Sequence, residues 1–353
     1  MTRPARLASS RPRRLVWRSQ RMSFALETRP VTVCLLLLVA TLVAAVFAMT
    51  LGRVPVPFVD VIGAVLGNGE GGMRQQIVFN LRLPRVLVAL FAGASLGVSG
   101  SVFQSVSRNA LGSPDVIGFT TGAATGALAQ IVIFGGGPLA VALSAMLGGL
   151  ITATLVYLLS FKQGVTGGYR LVLTGIGAGA TLNALNGLML VKGSLDNAIS
   201  ANLWLAGSLD ARSWDHALTV MAGASFLIPI SAFAVNRLRM IEMGDDIARQ
   251  LGVQVERTRF GMIACAVLLA GVATGAAGPI AFLALAAPQL ASRLTSTRGI
   301  PVLSSAIMGA FLLVSADLLT QLFANDLVLP IGRTTGLVGG LYLLWLLTRS
   351  KQK

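Results

Sequence analysis

The sequence predicts an all-α membrane protein of about ten transmembrane helices, with both termini on the cytoplasmic side. Three observations carry that expectation. Of the 353 residues, 54% are hydrophobic and only 12% are charged, with a mean hydropathy of +0.77, whereas a soluble domain is about one-quarter charged. The charge-free stretches are long enough to cross a bilayer core, which takes about 20 apolar residues in a helix. All 28 basic residues fall between those stretches, and they fall unevenly.

The first span is Pro30 to Gly52 and the second Val86 to Ser107. Residues 116–161 exceed one span, and Gly135-Gly136-Gly137-Pro138 divides them into 116–134 and 139–161. Leu171–Val191 and His216–Asn236 are the fifth and sixth. Phe260–Ser292 is again too long and breaks between Gly275 and Pro279, giving a seventh span and a short eighth. Pro301–Phe323 is the ninth, interrupted only by Asp317, and Thr334–Thr348 is a short tenth. With the N-terminus inside, 21 basic residues are cytoplasmic and 7 external, the asymmetry that orients membrane proteins. Ten spans split into halves of opposite topology, which fits inverted five-helix repeats.

Three segments follow: a basic cytoplasmic tail over 1–29 with eight arginines, a polytopic transmembrane domain over 30–350, and a cytoplasmic end at 351–353. The tail reads as a retained topology and lipid-contact element rather than a transit peptide. The net charge of +15 is then a matter of cytoplasmic loops and anionic membrane lipid, with no nucleic acid implied.

The composition also excludes chemistry. Cys34 and Cys265 sit in apolar runs without metal-ligand spacing, and His216 is the sole histidine, so neither a disulfide framework nor a histidine metal site is expected. None of Lys162, Lys192, Lys351 and Lys353 follows a glycine, which removes the Walker A route to nucleotide. No catalytic constellation is visible. The residues alone lead to the expectation of a membrane chain with no catalytic residue, no metal site and no cofactor.

The 40 glycines include runs at 93–100 and 177–187 that put small residues on helix faces, where they allow close helix approach in lipid. Asp317, the ionisable residue inside an expected span, is either a proton or cation site or a hydrogen-bonded structural group. Asn183, Asn186 and Gln104 either line a polar translocation path or bridge helices. Arg82 and Arg85, in LRLPR (81–85), stand just before a span that Pro84 is expected to begin. They anchor headgroups or pair with carboxylates of a docking protein. In the cytoplasmic loop 243–257, Asp245 and Asp246 suit a helix start and Gly252 a helix stop. Ala248 and Leu251 would share one face of a two-turn surface helix, either an ordinary amphipathic loop or an element that fits a partner's groove.

These loops and four further segments resemble the iron-siderophore and vitamin B12 importer permeases, the membrane subunits of type II ABC importers. The segments are residues 81–123, WLAGSLDARSW (204–214), MGDDIARQLG (243–252), GPIAFLALAAPQLASRL (278–294), ADLLTQ (316–321) and LPIGRTTGLVGGLYLLWLL (329–347). The resemblance spans roughly residues 30–350. It implies a ten-helix subunit in a bacterial inner membrane that pairs with a second permease subunit, either another copy or a related chain. An ABC ATPase dimer docks below it and an external, periplasmic siderophore-binding protein above. Arg82 and Arg85 match the family's external arginines, which meet acidic residues of the binding protein. Gly244, Ala248, Leu251 and Gly252 match the ATPase-coupling motif, within which Arg249 also lies. Asp317 matches a frequent family Asp. Asn109-Ala110-Leu111-Gly112 departs from the usual Asn-Pro-Leu-Ala, and Gln321 stands where a basic residue is common. Pro288-Gln289 replaces a frequent Pro-His and resembles permeases for ferric-enterobactin-like siderophores. The implied function is ferric siderophore import by alternating access, with ATP hydrolysed in a separate chain. The alternatives are the same role for cobalamin or haem, and an ion-coupled secondary transporter built on Asp317.

Overall fold

The computed structural model describes residues 14–18, 23–52, 54–67, 72–162, 165–166, 168–297, 299–323 and 329–349. Most of the expected basic tail (1–13 and 19–22), Arg53, Arg298 and the end at 351–353 lie outside the described residues.

A short antiparallel ribbon, β1 (Arg14–Arg18) with β2 (Ser23–Glu27), precedes α1 (Thr28–Thr50). The helices α2 (Phe58–Val65) and α3 (Met73–Ile77) lead through a π turn at Val78–Arg82 into α4 (Leu83–Val106). A 3-10 turn at Pro114–Ile117 comes before α5 (Phe119–Ala129), which a π turn extends to Phe134, and then α6 (Pro138–Ser160) follows. A two-residue ribbon, β3 (Phe161–Lys162) with β4 (Val165–Thr166), links to α7 (Gly168–Lys192) and α8 (Leu195–Leu205). The remainder is α9 (Trp214–Glu242), α10 (Asp245–Gln250), α11 (Val255–Ala277), α12 (Leu283–Thr295), α13 (Val302–Phe323) and α14 (Ile331–Arg349).

Among the described residues the fold is helical apart from the short ribbons, and seven helices are long and apolar enough to cross a membrane. The other three expected spans fall on α5, a shorter apolar helix, and on α12 and α14, none of which is among those seven. Both expected breaks occur: α5 and its π turn end at Phe134 before Pro138, and α11 ends at Ala277 before Gly278. One expectation is corrected. Pro84 does not open a span but stands inside a continuous helical run from Met73 to Val106. Proline removes one i→i−4 bond and crowds the preceding turn, and the π turn at Val78–Arg82 supplies the looser winding that accommodates it.

Burial sorts the bundle into shells. Most of α4 and α11 is buried, so these helices form the centre, whereas α1, α7 and α9 are largely exposed. On α1 the exposed residues include Leu35, Leu36, Val39, Leu42 and Val43, the apolar surface that lipid requires. Small residues let the central helices touch. A Cβ on Gly93 would stand 2.4 Å from the Gly309 carbonyl oxygen, and one on Gly97 2.1 Å from that of Ser305. Gly93 and Gly97 are therefore the seam between α4 and α13, and Gly100 meets Ala284 of α12. Because lipid gives helices no hydrophobic reason to associate, this close van der Waals fit is what holds them.

Candidate functional site

Three groups of polar residues stand out, one at each end of α4 and one between. At the Arg85 end, the π turn and the first turn of α4 point two guanidinium groups at different partners. Arg82 donates from Nη1 to the Met49 carbonyl at 2.6 Å and from Nη2 to the Val54 carbonyl, so it ties the end of α1 to α4. Among the described residues no carboxylate pairs with it, and its charge stays uncompensated. Arg85 donates from Nε to both Asp317 oxygens at 3.1 Å and from Nη2 to Oδ1 at 2.8 Å. Its Nη1 pairs with Asp210. Gln321 Nε2 also donates to Asp317, at 2.8 Å. The Asp317 side chain is 2% exposed and that of Asp210 45%. Asp317 thus sits closed off from solvent against a cation, as a link between α13 and α4. Arg82 and Arg85, read alike in sequence, differ in structure: one caps backbone, the other is the hub of an ion-pair triad.

At the opposite end, α10 projects between α9 and α11. Gly244 precedes it with φ +129° and Gly252 follows it with φ +82°, both in the region where glycine alone avoids strain. The turns close through Ala248 N–H to the Gly244 carbonyl and Val253 N–H to the Ala248 carbonyl. Asp245 fixes the base of the element. It accepts from Arg108 Nη2 at 2.7 Å and from Arg259 Nη2 at 3.1 Å. Arg108 also donates to the Ile241 carbonyl, and Arg259 to Glu256. Partial burial pushes the Asp245 carboxyl up, but Arg259 and Arg108 outweigh that and hold it below the usual carboxylate range. Arg249 is exposed and pairs only with its neighbour Asp246 at 3.0 Å.

The expected shared face of Ala248 and Leu251 is corrected. Ala248 is 0% exposed and packs inward, whereas Leu251 is 59% exposed. The outward stripe is instead Met243, Ile247 and Leu251, exposed by 65%, 46% and 59%. Their spacing of four was visible in the sequence, but Asp245 and Asp246 drew attention to the polar start. The partners Arg108 and Asp210 had no local signal, because their ion pairs close over 137 and 125 residues; Arg259 is 14 residues from Asp245, but no helical spacing links the two.

Between the ends, Gln104 Nε2 donates to the Leu285 carbonyl at 3.0 Å and Gln289 Nε2 to the Ala110 carbonyl at 2.7 Å. Both glutamines therefore bridge α4 and the segment after it to α12. On α7, Asn186 is buried, whereas Asn183 is exposed beside Thr181 and Ala184. The structure does not bring Asn183 or Asn186 together with Gln104 or Asp317 into one site. Among the described residues there is no group of three or more His, Cys, Asp and Glu side chains placed to hold a metal.

Comparison with known proteins bears on these features together. The pattern of the FecCD transport family matches residues 37–349. The chain is 44% identical over 320 residues to the ferric enterobactin transport system permease protein FepG of Escherichia coli (strain K12), covering 91% of this chain and 96% of that one. It is 34% identical over 294 residues to the iron(3+)-hydroxamate import system permease protein FhuG of Bacillus subtilis (strain 168), with coverages of 80% and 87%. In structure it is similar to an inward-facing conformation of an ABC transporter described as of metal-chelate type. The TM-score is 0.80 at 27% identity, covering 90% of this chain and 99% of that one. With a helical bundle, several helices fit to cross a membrane, and this likeness along nearly its whole length, the chain is a multi-pass membrane transport component rather than an enzyme, and it belongs to the FecCD transport family.

Proposed function

We propose that the protein is the permease subunit of an ABC importer that carries ferric siderophores across the inner membrane of a bacterium, driven by a separate ATPase pair. The relatives named for ferric enterobactin and iron(3+)-hydroxamate transport support the cargo class. Gln289, in the Pro-Gln form, favours a ferric siderophore over cobalamin or haem. In this reading the chain crosses the membrane ten times as inverted five-helix halves, with both termini inside. Arg85 then lies outside and α10 inside.

The observation that carries the mechanism is α10. Its apolar stripe of Met243, Ile247 and Leu251 stands proud on a base that Asp245 locks to Arg108 and Arg259. A short rigid element anchored to both the α4 connection and α11 passes motion of a docked ATPase to the central helices. Outside, the binding protein's carboxylates meet Arg82, whose charge is free, and Arg85, where they replace the exposed Asp210. A second permease subunit, a copy or a related chain, completes a path that includes the exposed Asn183 face of α7. That path is spacious and weakly polar, and the ferric ion crosses inside its chelator, without ligands from this chain. The ion-coupled alternative would need a free Asp317, and Arg85 occupies both of its oxygens.

The test is uptake of labelled ferric siderophore in cells carrying Gly252→Arg. The substitution forces a side chain into positive φ where α10 ends, and uptake should fall at least tenfold with the protein still in the membrane. Normal uptake would remove α10 from the coupling role.

A further inference from the structure

A second ionisable residue lies at membrane depth, on a segment that is not a spanning helix. Arg108 follows α4 in the left-handed region, with φ 49°, and is tied to the α10 end by Asp245. From there the chain turns back into the bundle. Ala110 meets Gln289. Pro114 and Asp115 then line a recess with Leu96, Ile280 and Ala284, and Gly118 packs against Gly175 and Gly179 of α7. Leu96 stands about 15 Å up α4 from Val106, by helical rise. Residues 107–118 are therefore re-entrant. The recess they reach is lined on its other side by Ile280, which lies in the non-helical break Gly278–Phe282 between α11 and α12. Irregular backbone at this depth persists only inside protein or beside a water-filled cavity, and transporter sites form where such broken segments meet.

Asp115 is exposed. Its carboxylate accepts from the Thr120 hydroxyl, and among the described residues no ion pair joins it. It is thus the opposite of Asp317, which is closed and paired. A carboxylate at this depth without a cation faces the bundle interior or a water-filled cavity rather than lipid, and the exposed surface of Asp115 favours the cavity. Resting on the reading above, in which the water at this depth is the translocation path, we propose that Asp115 is a charge-selecting residue of that path. It favours the cationic, N–H or O–H surface of a passing chelate and disfavours bare negative charge.

Two measurements on the assembled complex test this. In a background of Cys34→Ala and Cys265→Ala, the variant Asp115→Cys is treated in vesicles with water-soluble thiol reagents across nucleotide states. Labelling in at least one state is expected. No labelling in any state, with full labelling after denaturation, overturns the path-facing position. Uptake of a trianionic ferric tris-catecholate is then compared with that of an uncharged ferric trihydroxamate, using one binding protein for all variants. Asp115→Asn should raise the anionic-to-neutral ratio roughly three- to tenfold, while Asp115→Glu keeps the wild-type ratio. An unchanged ratio, or parallel loss of both uptakes in the two variants, makes Asp115 only a structural partner of Thr120 and overturns the proposal. If Asp115→Cys labels but the wild-type complex carries neither chelate, the siderophore reading is refuted and the path-facing position stands.

Discussion

Arg85 shows how one side chain acquires unequal partners. Its bond to Asp317 is buried and its bond to Asp210 exposed, and the two are energetically different. Removing one member of a buried pair strands the other charge and costs about 3–5 kcal/mol, while an exposed pair contributes about 0–1 kcal/mol. Asp317→Ala should therefore lower the thermal unfolding midpoint of the purified protein strongly, and Asp210→Ala barely. Equal shifts would show that burial does not decide the triad. Asp245 makes a pH prediction of definite sign. Its folded pKa lies below the usual range, so its stabilisation is complete above the unfolded value of about 3.9 and is lost as pH falls through the folded value. Thermal midpoints from neutral pH downward should drop more steeply on the acid side in the wild type than in Asp245→Asn. The sequence marked Arg82, Arg85, Asp245 and Asp317 as notable, because charges beside apolar runs are conspicuous. It could not pair them, since Arg85 and Asp317 are 232 residues apart and nothing local encodes that meeting.

The helices were legible because apolar length and glycine-proline punctuation are local properties. The breaks before Pro138 and after Ala277 fell where flexible residues interrupt the apolar runs. The small-residue run at 93–100 announced close helix contacts but not the partners, which are α13 at Gly93 and Gly97 and α12 at Gly100. Gly97→Val would drive a side chain into the Ser305 carbonyl, already 2.1 Å from a Cβ at this position, and overpacking of this kind costs about 3 kcal/mol. Its thermal midpoint should fall well below that of Gly63→Val on α2, where nothing lies within 4 Å of the added Cβ. The α10 face was misjudged for a different reason. A helix of one and a half turns offers too few residues for periodicity to fix which side packs, and here the body of the protein took Ala248.

Across the whole molecule, buried α4 and α11 form an axle between the two charged ends, with lipid-suited helices around it. That arrangement makes the two ends mechanically continuous. Arg85 opens α4, Arg108 follows it, and Arg108 grips α10 through Asp245. Replacing the outward stripe should separate the assembly without unfolding the chain. Ile247→Asp with Leu251→Asp should reduce co-purification of an ATPase subunit at least tenfold while leaving the permease's stability within about 0.5 kcal/mol of wild type, as for exposed sites. Undiminished co-purification would place the ATPase contact elsewhere.

The sequence by itself determined the helical membrane class, the breaks and the family resemblance, because hydropathy, turn residues and motifs are written along the chain. Only the tertiary structure decided which charges neutralise each other, which face of α10 looks outward, and that residues 107–118 turn back into the bundle. The opening balance of +15 shows the same division. The sequence located each basic residue, but whether a given arginine is spent on backbone carbonyls, as Arg82 is, or on carboxylates, as Arg85 is, depends on a contact made across the fold. Such contacts depend on distance in space, and no pattern along the chain measures that.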